Sequence, residues 1–214
     1  MSLTRISWVP VKADVDDAAL APVQAAGDAV AKQPGVESIY HGRVVEGIPS
    51  LYAVTTFASE DAVKAAESSS AFSELEGILA GLIDTSSSQP YTNLVSLNKP
   101  FESIASPVTR IIAIFLPASV DKADFIAKVD AMEAAMAAAN LPGFKGNVHG
   151  WAANQIEHPS IPGGPAQVFV ALAGWESVAA SEASASAPGM AEQQAALAAF
   201  GGIVEVNHVS LTKA

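Results

Sequence analysis

One short pattern occurs twice in this chain. Residues 33–45 read Gln-Pro-Gly-Val-Glu-Ser-Ile-Tyr-His-Gly-Arg-Val-Val, and residues 141–153 read Leu-Pro-Gly-Phe-Lys-Gly-Asn-Val-His-Gly-Trp-Ala-Ala. Pro34 and Pro142 stand 108 positions apart, and His41 and His149 keep the same spacing of 108. Self-similarity at a fixed offset restricts a fold more than composition does, because each copy must be one supersecondary unit. The 214 residues therefore read as two small α+β units, 1–99 and 107–214.

The rest of each half follows the same order. Residues 3–9 alternate and are rich in β-branched and aromatic types, which reads as a strand ending at Pro10. Residues 108–116 repeat it up to Pro117, with Thr-Arg-Ile shared at Thr4 and Thr109. Asp14 or Asp16 caps a helix whose Leu20, Val23, Gly27 and Val30 step round one face. Ser119 or Asp121 caps its counterpart, striped by Phe125, Val129, Met132 and Met136. Both helices stop before a Pro-Gly, since the residue preceding proline is pushed out of the helical region. The two His-Gly strands come next. A tight turn through 46–50 leads into a third strand at 51–57; in the second half a longer loop, 155–166, holds His158 and three prolines before a strand at 167–175.

A second helical region is interrupted at Ser68-Ser69-Ser70 in one half and at Ser186-Ala187-Pro188-Gly189 in the other. Closing strands are expected at 91–97 and 205–211, and 98–107 reads as a linker. The order β-α-β-β-α-β, twice, is the ferredoxin-like pattern. A sheet with helices on one face leaves its other face bare and in need of a partner. The fold class expected is thus α+β, with two ferredoxin-like repeats packed sheet to sheet as an intramolecular barrel.

Charge removes several function classes. With 22 acidic against 11 basic residues the formal net charge is −11, so nucleic acid and anionic membrane surfaces are poor partners. No cysteine is present, which rules out disulfides, thiolate metal sites and cysteine nucleophiles. The first ten residues lack the apolar core of a signal peptide, and no apolar run approaches the ~20 residues of a membrane helix. A cytoplasmic protein is expected, either a monomeric pseudo-dimer or a homodimer.

These features together resemble the dimeric α+β-barrel superfamily, and within it the antibiotic-biosynthesis-monooxygenase-like group, in tandem form. The likeness rests on the Pro-Gly before the second strand, the aromatic opening of the second helix at Trp175-Glu176-Ser177, and the closing Val-Asn-His-Val-Ser-Leu. It covers nearly the whole chain. The resemblance implies a small-molecule pocket between each sheet and its helices. Its members include cofactor-independent monooxygenases, cyclases, hydroxynitrile lyases, heme proteins and stress proteins, so fold alone does not decide function.

Candidate chemistry is confined to a few side chains. His41, His149 and His208 are the candidate catalytic residues, because imidazole exchanges protons near neutrality. The competing reading is a histidine bonded to a neighbouring strand, with Gly42 and Gly150 allowing close backbone approach. Trp151, Asn207, Tyr40, Asn93 and Arg110 are candidate substrate-binding residues. Against that, aromatics at these spacings also serve as plain core, asparagines as strand-end caps, and Arg5 and Arg110 as partners of carboxylates. No metal site is expected: there are four histidines and no His-x-x-x-His. No nucleotide motif and no cofactor is called for.

The function expected is cofactor-independent monooxygenase-, cyclase- or lyase-like acid–base chemistry on a small hydrophobic, aromatic or polyketide-like molecule. The longer loop, Trp151 and His208 occur only in the second half, which places the expected pocket there. The alternative is a non-catalytic ligand-binding or stress-response barrel, with heme binding third.

Overall fold

The computed structural model of the chain describes residues 2–47, 49–86, 88–158, 160–161 and 164–214. Ile48 of the expected first turn lies outside these residues, as do Pro159, Pro162 and Gly163 of the expected long loop. The chain separates into two compact units, Met1–Leu97 with Val209–Ala214, and Asn98–His208.

The first half contains β1 (Leu3–Pro10), α1 (Asp17–Ala31), β2 (Val36–Arg43), β3 (Ser50–Phe57), α2 (Glu60–Glu67), α3 (Ser70–Leu82) and β4 (Tyr91–Val95). The second contains β5 (Val108–Leu116), α4 (Lys122–Ala139), β6 (Phe144–Ile156), β7 (Ala166–Trp175), α5 (Val178–Ser184), α6 (Met190–Ala198) and β8 (Ile203–Val209), followed by the short β9 (Thr212–Lys213). Within the first unit the strands run in the order β4-β1-β3-β2-β9, and within the second in the order β8-β5-β7-β6. Counted within each repeat, both give the 4-1-3-2 arrangement of a ferredoxin-like sheet.

Local chemistry explains where the helices start. Asp16 Oδ1 accepts from the Ala19 amide at 2.8 Å, and Asp121 Oδ1 accepts from the amides of Ala123 and Asp124 at 2.8 and 3.0 Å. These are the side-chain caps that free amides at a helix start require. The break between α2 and α3 has one agent. Ser69 Oγ donates to the Ala66 carbonyl at 2.7 Å and accepts from the Phe72 amide at 3.2 Å, closing one helix and opening the next.

Each unit has its own core. Phe57 packs with Val63 and Ala66 in the first, and Trp175 with Val108, Leu141 and Ala173 in the second. Phe57 and Trp175 thus hold the same place at the end of their third strands, and both are buried.

Two stretches differ from the sequence expectation. Residues 98–107 are no loose linker: Phe101–Ile104 forms a 3-10 turn in the second unit, with Phe101 and Ile104 both buried. Ser106 Oγ accepts from the Trp175 amide at 3.0 Å and donates to the Val108 carbonyl at 2.9 Å. Residues 209–214 leave the second unit and join the first, where β9 pairs antiparallel with β2. Neither stretch has periodicity that a sequence reading could detect.

The turn at 101–104 depends on a glycine. A Cβ on Gly174 would lie 2.2 Å from the Ile104 carbonyl oxygen, which is backbone and cannot swing aside. Gly174→Ala is accordingly expected to destabilise the protein by about 1–3 kcal/mol, the usual penalty of overpacking. A lowered thermal midpoint checks this; an unchanged midpoint would show that the turn is not held against β7.

Candidate functional site

The cavity that stands out lies in the first repeat, between its sheet and helices α1 and α3. Its volume is about 640 Å³, within the range of small-molecule sites. One row of residues crosses its floor. Antiparallel pairing sets Thr92 opposite Ser7, Ser7 opposite Ala53, Ala53 opposite His41, and His41 opposite Thr212. Directly opposed residues project to the same side of a sheet, and all five line the cavity. Ile39 and Arg43 flank His41 along β2 on that same side, while Leu20, Val23 and Val30 of α1 and Leu75 and Leu79 of α3 form an apolar roof.

His41 is partly buried there. Desolvation by burial pushes its pKa below the ordinary 6.5, and the charge of Asp28 opposes that only in part. The ring is therefore neutral at pH 7, with one nitrogen lone pair able to take a proton. Among the described residues, neither ring nitrogen is held by a hydrogen bond.

Two guanidinium groups stand at the sides of the cavity. Arg5 reaches Glu67 at 3.3 Å and lies 4.6 Å over the Phe72 ring. Arg43 donates to the Val15 carbonyl at 2.7 Å and has Asp17 at 3.5 Å. Ser7 and Thr92 share a hydrogen bond of 2.9 Å on the floor.

In the second repeat the corresponding space is filled. Counting from the shared His-Gly, Trp151 stands where the first repeat has Arg43. Counting back from Trp175 and Phe57, Phe169 replaces Leu51; from the shared Thr-Arg-Ile, Ile112 replaces Ser7. Phe125 sits at the centre, edge-to-face with Trp151, Phe169 and Phe200 at 5.4, 5.1 and 5.1 Å. Phe125 is fully buried, and Val129, Leu197 and Ile112 complete the packing.

His149, the repeat partner of His41, is buried and engaged. Its Nε2 lies 3.0 Å from Glu133 Oε1 and 3.1 Å from Asn98 Nδ2. A neutral imidazole nitrogen either donates or accepts; it therefore serves the carboxylate or the amide, and in either state it is occupied. Asn98 also brackets the strand, accepting from the His149 amide at 2.9 Å and donating its own amide to the His149 carbonyl at 2.8 Å. Glu133 accepts a further hydrogen bond from Asn147. Asp130, Glu133 and His149 offer ligand atoms within 4.8 Å of one another and are the described residues best placed to hold a cation. Asn98 and Asn147 hydrogen-bond to His149 and Glu133 of this group.

The other predicted residues divide between the repeats. His208 is buried in the second, with Nε2 2.8 Å from Ser181 Oγ. Asn207 precedes it in β8 and points to the opposite side of that strand. Trp151 belongs to the aromatic cluster, with the Lys122 ammonium 4.8 Å over its ring. Arg110, the counterpart of Arg5, is partly buried, which lowers its pKa, and among the described residues it has no carboxylate partner. In the first repeat, Asn93 is buried opposite Ile6, not in the row that carries Ser7, and its Oδ1 has no partner among the described residues. Tyr40 alternates with His41, away from the cavity, under the Lys213 ammonium at 5.8 Å. His158 of the longer loop has its ring 4.6 Å from Phe115 and Nε2 3.9 Å from Glu205.

Of the candidate catalytic and substrate-binding residues named from sequence, the cavity thus takes His41. It adds Ser7, Arg43, Thr55, Ser210 and Thr212, which sequence reasoning missed. A signal for the filled half was available: Phe125, Trp151, Phe169 and Phe200 are large side chains present only in the second copy.

No family model matches the sequence, and no curated protein matches it. Solved structures do share the fold over the full length. A candidate monooxygenase from Lactobacillus acidophilus superposes with a TM-score of 0.61 at 14% identity, covering 100% of this chain and 95% of that one. A candidate monooxygenase from Fusobacterium nucleatum gives 0.67 at 6% identity, covering 99% and 93%. A protein described as anthrone oxidase-like gives 0.67 at 14% identity, covering 99% and 91%. The chain shares the fold of these structures, carried as two ferredoxin-like repeats in one chain. At these identities the likeness is one of fold.

The state of His41 is open to direct measurement. Its folded pKa is depressed, so the stability it contributes is fully present above the unfolded value of about 6.5 and is lost as pH falls below it. The His41 ring resonance should titrate with a midpoint below 6.5, and His41→Gln should flatten the acid side of the stability–pH curve. A midpoint at or above 6.5 would show a solvated or carboxylate-paired ring. In the second repeat, Phe125→Ala is expected to lose about 3–5 kcal/mol in a denaturant melt; a loss under about 1 kcal/mol would mean that no tight core fills that space.

Proposed function

We propose that the chain is a small-molecule oxygenase whose working pocket is the cavity of the first repeat, with His41 as general base. The observation that carries this reading is the row of Thr92, Ser7, Ala53, His41 and Thr212 beneath an apolar roof. Such a site suits a flat aromatic or polyketide-like molecule: the roof takes its ring system, and the row meets its polar edge. His41, neutral at pH 7, removes an acidic C–H or O–H proton. The resulting enolate is electron-rich enough to pass an electron to dioxygen, so no bound cofactor is needed. For an anthrone-type substrate the balance is anthrone plus dioxygen giving anthraquinone plus water, with the ring methylene oxidised and dioxygen reduced.

Support comes from the full-length likeness to structures described as candidate monooxygenases and as anthrone oxidase-like. Cavity volume is a second support. A barrel that binds no small molecule needs no space of the kind found here, and about 640 Å³ exceeds the ~300 Å³ at which ligand sites begin. On this reading His149 and His208 hold the second repeat together, and Trp151 fills it.

The test is oxygen consumption with anthrone, followed beside anthraquinone formation. Wild-type protein should turn over, with kcat/KM falling on the acid side as His41 gains a proton. His41→Gln should lower kcat by about 100-fold or more, the usual scale for a general base, with little change in the thermal midpoint. His149→Gln should keep kcat within a few-fold of wild type. Full turnover by His41→Gln would remove the base from the mechanism; binding without oxygen uptake by wild type would favour a carrier.

A further inference from the structure

The last residues of the chain do something the repeat pattern does not anticipate. Residues 209–214 begin at the last residue of the closing strand of the second repeat, yet they lie in the first unit, against the edge of β2. We infer that this tail is a wall of the His41 cavity, and that the Thr212 hydroxyl positions the oxygen of a flat aromatic ligand beside His41. The ligand class is a polycyclic phenol or ketone whose oxygen adjoins its acidic hydrogen. This rests on the reading of the first repeat as the working pocket.

Three observations carry it. First, the tail is fastened at successive points along β2: Val209 bridges Val44, Thr212 pairs with His41, Lys213 pairs with Tyr40, and the Ala214 amide donates to the Ile39 carbonyl at 3.0 Å. Its register is therefore fixed, not incidental. Second, β2 is built to receive it. A Cβ on Gly42 would stand 2.1 Å from the Ser210 carbonyl oxygen, so only glycine after His41 lets the tail approach this closely. The Gly of the His-Gly pattern has a concrete role here. Third, Ser210 and Thr212 both line the cavity. Thr212 stands directly opposite His41 and so projects to the same side, with Cβ atoms about 5 Å apart.

That spacing suits a two-point contact. A ligand hydrogen facing the His41 nitrogen places an adjoining carbonyl or phenolic oxygen within reach of the Thr212 hydroxyl. Among the described residues, that hydroxyl has no other partner. As His41 draws the proton away, charge grows on the oxygen, and a hydroxyl donor there binds the ligand more firmly in its enolate form. Thr212 acts through the ligand's orientation; His41 takes the proton.

The probe is 1,8-dihydroxyanthraquinone, which has the flat ring system and the peri oxygens and does not itself turn over. Its affinity is measured by spectroscopic titration for wild type, Thr212→Val, Thr212→Ser and a chain ending at Ser210, each with a thermal melt. Valine keeps the shape and removes the hydroxyl, so Thr212→Val should bind about three- to tenfold more weakly, the worth of one hydrogen bond. Thr212→Ser should recover affinity to within about twofold. The shortened chain should lose at least as much as Thr212→Val; should it fail to fold, the valine and serine variants decide the matter by themselves. Equal affinity for wild type and Thr212→Val, with wild type binding well, overturns the role of the tail and leaves the pocket standing. Absence of binding by wild type overturns both.

Discussion

The volume of the side chains on the covered face of each sheet decides what this protein can do. Helices held against a sheet leave a layer that must be filled, because interiors pack at crystal-like density. In the second repeat four large rings, Phe125, Trp151, Phe169 and Phe200, fill it. At two of the matching strand positions the first repeat has Arg43 and Leu51, and the space remains as a cavity of about 640 Å³. On the proposed reading the two copies divide two tasks, one half supplying stability and the other keeping room for a ligand.

The same contrast governs the two equivalent histidines. His149 lies tilted against Phe169 at 5.3 Å, and its Nε2 is occupied by Asn98 or Glu133. His41 faces a cavity, has a depressed pKa, and meets the tail residue Thr212 across the strand. On the proposed reading, one sequence motif is a packed core element in one setting and a proton acceptor in the other. Surroundings, not residue identity, set the role.

Much of the architecture could be read from sequence. The 108-residue spacing, the caps at Asp16 and Asp121 and the serine break at 68–70 are local signals, and local signals survive without coordinates. The site was less legible. His41 is among the residues the sequence names, while the longer loop, Trp151 and His208 point by sequence to a pocket in the second half. Trp151 fills space there with Phe125 and Phe169, and His208 is buried against Ser181; an extra large side chain on a covered face closes a pocket more readily than it lines one. The tail and the turn at 101–104 left no trace, since their positions depend on backbone fit against Gly42 and Gly174 and not on any periodic pattern.

The division of labour between the repeats is tested most directly by a crystal structure with 1,8-dihydroxyanthraquinone bound. The ring system should lie between the first sheet and helices α1 and α3, with an oxygen or ring hydrogen at the His41 nitrogen. Density beside Trp151 and Phe125 in the second repeat, with the first cavity empty, would contradict it.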